Sequence, residues 1–203
     1  MPTAILDRRS DLLDAIAETL DIPPNLYEEA VLKYEDIGGW LAAEDSELKD
    51  HSPEIYPQGS FRLGTMVRPV FRSDEFDIDL VCQLQLEKDA VSKAELKEMV
   101  GKRLKKRPDI EEVLSESRRA WTLNYRSQFH MDVLSSIPNV ERLPTGILLP
   151  DKELRYWQKS NPISYADWFY DRMKVIFAER RAIVAEQLEA SIEEVPIWTV
   201  RTP

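Results

Sequence analysis

Two aspartates separated by a single residue lie in the apolar segment FDIDLV, residues 76–81. Apolar and β-branched residues favour a strand, and side chains two apart on a strand point from the same face, roughly 6.6 Å apart along the chain. Two carboxylates held so close are costly to desolvate without a counter-charge. A divalent cation such as Mg²⁺, which prefers carboxylate and phosphate oxygens, would satisfy Asp77 and Asp79. The alternative is a half-exposed edge strand whose polar face happens to carry aspartate.

A third carboxylate, Asp132, follows in the segment FHMDVLSS. Apolar residues alternate around it and predict a strand over 129–135, which three residues join to a second strand over 120–125, short enough for an antiparallel hairpin. Two metal ions ~3.5 to 4 Å apart, clamping the attacking and leaving oxygens of a phosphoryl displacement, need a cage of three acids. His130 shares a face with Asp132, and we interpret it as a partner of a ligand or an ordinary strand residue in preference to a metal ligand.

The segment QGSFRLGT, residues 58–65, gathers Gly59, Ser60 and Gly64 in a chain that has only 6 glycines. It predicts a strand that turns into a short helix. Glycine allows backbone N–H groups to approach a polyphosphate, and Ser60 and Thr65 add hydroxyl donors. The alternative is an ordinary Gly-Ser turn.

In this order the motifs resemble the nucleotidyltransferase superfamily of the polymerase beta type, and more closely its CD-NTase branch, the cGAS- and DncV-like synthases of bacterial CBASS defence. The resemblance rests on Gly59-Ser60, Asp77, Asp79 and Asp132, and on the run SNPISYADWF from Ser160 to Phe169. It implies an α+β fold in which a mixed or antiparallel sheet of the polymerase-beta type is flanked by helices.

The resemblance also implies a function. Such an enzyme binds ATP, GTP or another NTP with two Mg²⁺ ions, or Mn²⁺ in their place, and joins nucleotides into a cyclic di- or oligonucleotide used in anti-phage defence. Asp77 and Asp79 would bridge both metals, and Asp132 would complete the metal that activates the acceptor hydroxyl. The resemblance implies that the phosphates are bound by Gln58, Gly59, Ser60, Arg62 and Thr65. The alternative interpretation of Arg62 is an exposed residue on the short helix.

Two other functions remain open. The same three aspartates would serve a nucleotidyltransferase of the toxin or resistance type, which modifies a protein, an RNA or a small molecule, and only the product separates it from a cyclic-oligonucleotide synthase. A catalytically impaired module that binds nucleotide or a partner protein is a third candidate. Retention of all three acids argues against it.

Family members continue past residue 203 into a helical lobe that completes the pocket around the bases. We therefore expect a truncated chain, a chain whose missing wall comes from a partner chain, or a reduced relative that binds nucleotide without efficient cyclisation. If the lobe is needed, the long C-terminal helix and the segment around Trp198 would expose apolar surface and favour self-association or a partner chain that covers it.

The elements that must position these residues follow from periodicity. Apolar residues at helical spacing predict an N-terminal pair of helices, one before and one after Pro23-Pro24, and a long amphipathic helix from Ser164 to about Glu189. Ser92 and Glu95 form a capping box that opens a helix closed by Pro108. The proline-rich stretch 138–162 is expected to be irregular, and 195–203 to be extended.

Three regions result: acidic N-terminal helices packed on the core (1–52), a catalytic core (53–163), and the long helix with its tail (164–203), the start of a missing second lobe. Residues 1–52 carry 13 acids against 4 bases, which accounts for most of the net charge of -10. The basic residues between Lys102 and Arg107 suit the end of a helix, so we expect no duplex nucleic-acid partner.

Composition excludes several other classes. A chain of 203 residues with 43% hydrophobic and 32% charged residues is globular. It shows no membrane span and no signal peptide, so we expect a cytoplasmic protein with no membrane partner. A single cysteine, Cys82, allows no internal disulfide, and we expect it in the core.

Overall fold

The computed structural model describes residues 9, 12–13, 15–68, 75–125, 129–151, 155–187 and 191. The strands are β1 (Glu54–Gln58), β2 (Phe76–Gln83), β3 (Leu114–Glu116), β4 (Trp121–Tyr125), β5 (Phe129–Pro138), β6 (Ile147–Asp151) and β7 (Tyr156–Ser160). The helices are α1 (Pro24–Ala42), α2 (Gly59–Leu63), α3 (Lys93–Lys105), α4 (Pro108–Glu111) and α5 (Pro162–Gln187), with short 3₁₀ turns at Lys49–His51 and Val140–Arg142.

Seven strands form one sheet in which β1, β2, β5, β4 and β3 lie side by side in that order. The central pair, β2 and β5, is parallel, and the other pairs are antiparallel. β6 pairs with the last two residues of β5 and continues into a hairpin with β7. A mixed sheet with helices packed against it confirms the predicted α+β class.

The two faces of this sheet differ in chemistry. On one face the alternate residues of β2, β4 and β5 are buried in the main hydrophobic core, together with residues of α1 and α3. The opposite face carries the aspartates of β2 and β5 and, farther along the strands, a smaller apolar cluster that includes Val81 and Leu134. The strand pleat thus separates core packing from the polar residues, as the alternation in β2 and β5 predicted.

The N-terminal region agrees with the predicted pair of helices. Residues 15–20 are helical, and α1 follows the two prolines and buries Ala30, Ile37 and Leu41 in the main core. The predicted capping box of α3 is also present, because Ser92 Oγ accepts from Glu95 N at 3.2 Å and the Glu95 carboxylate accepts from Ser92 N at 2.9 Å.

Basic residues at the end of α3 bind the acidic N-terminal region. Arg103 is only 2% exposed, and its guanidinium lies 2.8 Å from Asp45 Oδ1 and donates through Nε to Trp40 O at 3.0 Å. The Trp40 indole donates in return to Arg103 O at 3.0 Å. Arg107 forms a two-bond ion pair with the Asp36 carboxylate. The arginines of this cluster thus join α3 to the region around α1, in agreement with a structural role for the cluster.

The expectation of irregular structure over 138–162 is wrong, because β6 and β7 occupy much of it. Ile147, Leu148 and Leu149 are buried on both sides of β6, so no polar alternation marks the strand in the sequence. Pro150 lies inside β6 opposite Trp157 of β7, a position that sequence reasoning treats as a strand breaker.

α5 forms as predicted, but its apolar side is only partly covered by the rest of the described chain. Trp168 is 53% and Ile176 is 55% exposed. The helix end near Glu189, the extended segment 195–203 and Trp198 lie outside the described residues. None of the described helices has an apolar stretch long enough to cross a membrane.

Trp121 of β4 packs directly against α3 and holds the helix close to the sheet. Its ring is 2% exposed, its Nε1 donates to Lys97 O at 2.8 Å, and a Cβ at Gly101 would lie 2.1 Å from Trp121 Cζ2. Only a residue without a side chain allows α3 to approach β4 this closely.

Replacement of Gly101 by alanine should therefore lower the free energy of unfolding by about 1–3 kcal/mol, the usual cost of overpacking a core. Gly39→Ala is the matched control, since a Cβ at this exposed position in α1 meets nothing within 4 Å. There alanine should stabilise by about 0.5–1 kcal/mol. Urea denaturation measures both, and a Gly101→Ala protein as stable as the Gly39→Ala protein would contradict the packing described here.

Candidate active site

A row of polar side chains crosses the open face of the sheet. In the strand register Gln58 lies opposite Asp79, Asp79 opposite Asp132, and Asp132 opposite Thr122. Because residues directly opposite one another point from the same face, β1, β2, β5 and β4 each supply one member of the row. Asp77 precedes Asp79 by one pleat and lies opposite His130.

The three predicted aspartates converge. Asp77, Asp79 and Asp132 each offer a carboxylate oxygen, and these oxygens all lie within 4.8 Å of one another. Asp77 is exposed, whereas Asp79 and Asp132 are half-buried. Two strands adjacent in the sheet and far apart in sequence thus form a single acidic cluster, as the sequence predicted.

The cluster carries unbalanced negative charge. Burial, with the charges of Asp77 and Asp132, raises the pKa of Asp79 to about 7, and His130 acts in the opposite direction. The pKa of Asp77 is also raised, mainly by burial. Within the described part of the chain no lysine or arginine forms an ion pair with these three aspartates. Three convergent carboxylate oxygens without a lysine or arginine partner among the described residues fit a hard divalent cation.

His130 contacts a carboxylate of the cluster. Its Nε2 lies 3.2 Å from Asp77 Oδ1, and its Nδ1 lies 3.9 Å from Glu75 Oε2. A ring nitrogen turned toward Asp77 agrees with the interpretation of His130 as a partner of a ligand.

Gly59 brings α2 against the cluster. Its φ of +64° is in the left-handed region, and a Cβ there would lie 2.7 Å from Asp79 Oδ2. The backbone thus approaches a carboxylate of the cluster as closely as a glycine permits. Ser60, the next residue, is exposed in the first turn of α2, so the predicted change from strand to short helix is confirmed.

The other residues predicted to bind phosphate occupy the end of β1, the helix α2 and the turn after it. Gln58 is the last residue of β1, in the row with Asp79. Arg62 lies near Tyr56 and Tyr170, where burial raises the pKa of both hydroxyls and the charge of Arg62 offsets part of that rise. The buried Nε of Arg62 has no hydrogen-bond partner among the described residues. Thr65 follows the C-terminal end of α2, where its N–H donates to Ser60 O at 2.9 Å. Within the described part of the chain, Thr65 forms no hydrogen bond with the three aspartates.

One residue of the row was missed by the sequence analysis. Thr122 Oγ1 donates a 2.5 Å hydrogen bond to Asp132 Oδ1. The hairpin prediction already paired the two strands, and counting back along it from Asp132 could have suggested a residue near 122 as its neighbour. A cavity of about 810 Å³ lies elsewhere, lined by residues that include Asn139 and Trp157, and none of the three aspartates lines it.

The part of the chain that carries this geometry is similar to a known family. Residues 53–135, which contain Gly59, Ser60 and all three aspartates, match the family model for the cyclic GMP-AMP synthase DncV-like nucleotidyltransferase domain. A c-di-GMP synthase of Roseivirga ehrenbergii is 28% identical over 161 residues, 79% of this chain and 43% of the relative. The cyclic dinucleotide synthase CdnG of Bradyrhizobium diazoefficiens is 28% identical over 134 residues, 64% of this chain and 31% of the relative.

Structural similarity agrees with these matches. The structure of the Bradyrhizobium diazoefficiens CD-NTase CdnG in complex with GTP superposes with a TM-score of 0.66 at 20% identity, over 89% of this chain and 54% of that one. This chain thus spans less than half the length of the curated relatives that it matches. Residues 53–135 are thus similar to DncV-like nucleotidyltransferase domains, and the described chain has the fold of a CD-NTase core.

Proposed function

We propose that the acidic face catalyses nucleotidyl transfer and that the protein joins nucleoside triphosphates into a cyclic dinucleotide. The observation that carries this proposal is the convergence of Asp77, Asp79 and Asp132 beside Gly59. A carboxylate cluster in which the pKa of Asp79 and of Asp77 is raised, next to backbone that no side chain covers, suits a substrate that brings both metal ions and phosphate oxygens.

The residues that would hold metal are the three aspartates. We expect two Mg²⁺ ions, with Mn²⁺ able to replace them, because all three ligands are carboxylates and Asp77 and Asp79 share one face of a single strand. When bound, such ions stabilise charge on the phosphate oxygens and lower the pKa of a coordinated hydroxyl.

The chain's own residues have separate tasks in the proposed reaction. Ser60 and the backbone at Gly59 bind the β- and γ-phosphates of the donor nucleotide. Asp132 accepts the proton of the acceptor ribose hydroxyl, whose oxygen forms a bond to the α-phosphorus. The bond from the α-phosphorus to the bridging oxygen breaks, and pyrophosphate leaves with that electron pair. The unpartnered Nε of Arg62 makes its guanidinium a candidate to bind the departing phosphates.

For the substrate we propose GTP, with cyclic di-GMP as the product. The support is the description of one relative as a c-di-GMP synthase and of the CdnG structure as a complex with GTP. Transfer of a nucleotide to a protein, an RNA or a small molecule is the alternative, because the same aspartates would serve it. A role in anti-phage defence, a cytoplasmic location and a partner chain that covers α5 stay predictions.

Labelled nucleotides test the proposal directly. The 203-residue chain, incubated with radiolabelled GTP and Mg²⁺, should release pyrophosphate and form a product that resists phosphatase, as a cyclic dinucleotide does. Asp79→Asn should abolish product formation, and Asp109→Asn, which changes an exposed aspartate on α4, should leave it unchanged. Label appearing on protein or RNA would support the alternative transferase, and wild-type turnover by Asp79→Asn would overturn the assignment of the aspartates.

The raised pKa of Asp79 also predicts how stability depends on pH in the absence of divalent cations. The carboxyl has an ordinary pKa of 3.8 when the chain is unfolded and a pKa of about 7 in the fold. The protonated carboxyl therefore contributes stability that is complete below about pH 4 and lost as the pH rises through 7. The loss is at most about 4 kcal/mol. Asparagine stays neutral at every pH. The free energy of unfolding of Asp79→Asn, minus that of wild type, should therefore increase between pH 4 and pH 8.

Urea titrations at several pH values measure this difference. The control is again Asp109→Asn, because the Arg107 hydrogen bond lowers the pKa of Asp109 and removal of this carboxylate should cost stability near neutral pH. If the difference in unfolding free energy between Asp79→Asn and wild type does not change with pH, the electrostatic description of the cluster is wrong.

Ser60 gives a separate test of phosphate binding. Replacement by alanine removes one hydroxyl donor and should weaken GTP binding by about 1 to 2 kcal/mol, within the range found for the loss of a single hydrogen bond. Ser164→Ala is the matched control, since Ser164 is an exposed serine in the first turn of α5. Calorimetry with GTP and Mg²⁺ should separate the two variants, and equal affinities would reduce the Gly59-Ser60 segment to an ordinary turn.

A further inference from the structure

We infer that Thr122 is a positioning residue for Asp132, holding one carboxylate oxygen so that the other is directed at the shared metal site. The inference rests on the proposed function and assigns a residue of that site outside the motifs that the sequence resemblance supplies. Its basis is the 2.5 Å hydrogen bond from Thr122 Oγ1 to Asp132 Oδ1, between residues directly opposite each other on β4 and β5.

The strand order gives this hydrogen bond a direction. β5 lies between β2 and β4, so Asp132 has Asp79 on one side and Thr122 on the other. A donor on the β4 side holds Oδ1 away from the cluster and leaves Oδ2 as the oxygen toward β2. Asp132 is the only member of the cluster that β5 supplies, so its orientation decides whether the third ligand is in place.

Repulsion explains why such a donor is needed. Asp77 and Asp79 both lie close to Asp132, and in the absence of cations their charges act to turn its carboxylate out of the site. The terminal torsion of aspartate is broad, so rotamer preference alone fixes the carboxylate weakly. A hydroxyl that donates to an ionised oxygen forms a short, strong bond and restrains that rotation.

The packing of β4 fixes the donor itself. Trp121 is buried beneath α3 against Gly101, and the pleat therefore turns Thr122 onto the acidic face. Threonine is β-branched, so its χ1 is restricted in a strand and its hydroxyl keeps a defined direction. The position of Oγ1 thus follows from a core contact on the other face of the sheet.

Two substitutions test the inference. Thr122→Val keeps the branched shape and removes the donor, whereas Thr122→Ser keeps the donor. In the full chain, Thr122→Val should weaken Mn²⁺ binding roughly 10-fold, as loss of a group that orients a metal ligand commonly does, and lower kcat with GTP while KM stays within about twofold. Thr122→Ser should restore most of both. Mn²⁺ affinity is measured without nucleotide by electron paramagnetic resonance.

Ser115→Ala provides the control in the same row. Ser115 lies opposite Thr122 on β3 and donates to Thr122 O, but no described contact joins it to Asp132. Its Mn²⁺ affinity and kcat should match those of wild type. Urea denaturation of each variant separates loss of positioning from loss of the fold, and Thr122→Ser keeps the test decisive if Thr122→Val is unstable.

The outcomes distinguish the inference from the proposed function. If wild type binds Mn²⁺ and turns over GTP while folded Thr122→Val equals it, or while Thr122→Ser is as impaired as Thr122→Val, Thr122 is not a positioning residue and the proposed function stands. If wild type binds no Mn²⁺ and forms no product, the proposed function fails, and the inference fails with it.

Discussion

Asp79 and Asp132 lie directly opposite each other on two adjacent parallel strands, and the rest of the structure accommodates their repulsion. Burial and the neighbouring carboxylates raise the pKa of Asp79 to about 7. The fold thus disfavours the ionised form of this carboxyl, which an exposed aspartate adopts at neutral pH. A chain keeps such a pair only if other interactions fix β2 and β5 in register. Here these interactions lie on the opposite face, where Ile78, Leu80 and Met131 are completely buried.

The sheet therefore works as a two-sided support. Its covered face is held by α1 and α3, and those helices are joined by buried Arg103 and by Trp40 as well as by apolar contacts. Its other face is left to polar residues supplied one by one from four strands. Functional side chains placed on a packed sheet are held more precisely than side chains on loops, as the proposed reaction between two phosphate-bearing substrates would require.

Sequence reasoning reached the parts of this arrangement that local patterns encode. The alternation around Asp77 and Asp79, the strand around Asp132 and the glycines at 59 and 64 each mark their element within a few residues. β6 was missed because apolar and polar residues do not alternate along it and because Pro150, which disfavours a strand, lies within it. Thr122 was missed because its contact with Asp132 emerges only when the register of the predicted hairpin is counted residue by residue. The placement of Arg62 near Tyr170 depends on a contact 108 residues away, which no local pattern encodes.

The close approach of Gly59 to Asp79 has a consequence for how the proposed ligands would influence each other. Since a Cβ at Gly59 would lie only 2.7 Å from Asp79 Oδ2, there is little space between α2 and β2 here, and a large shift of one toward the other would displace it. Under the proposed function, an ion that moved the Asp79 carboxylate would therefore also act on the Gly59-Ser60 turn, and a triphosphate at the turn would act on the carboxylate. Thermodynamic linkage makes any such coupling reciprocal, so each ligand would change the affinity of the other by the same factor.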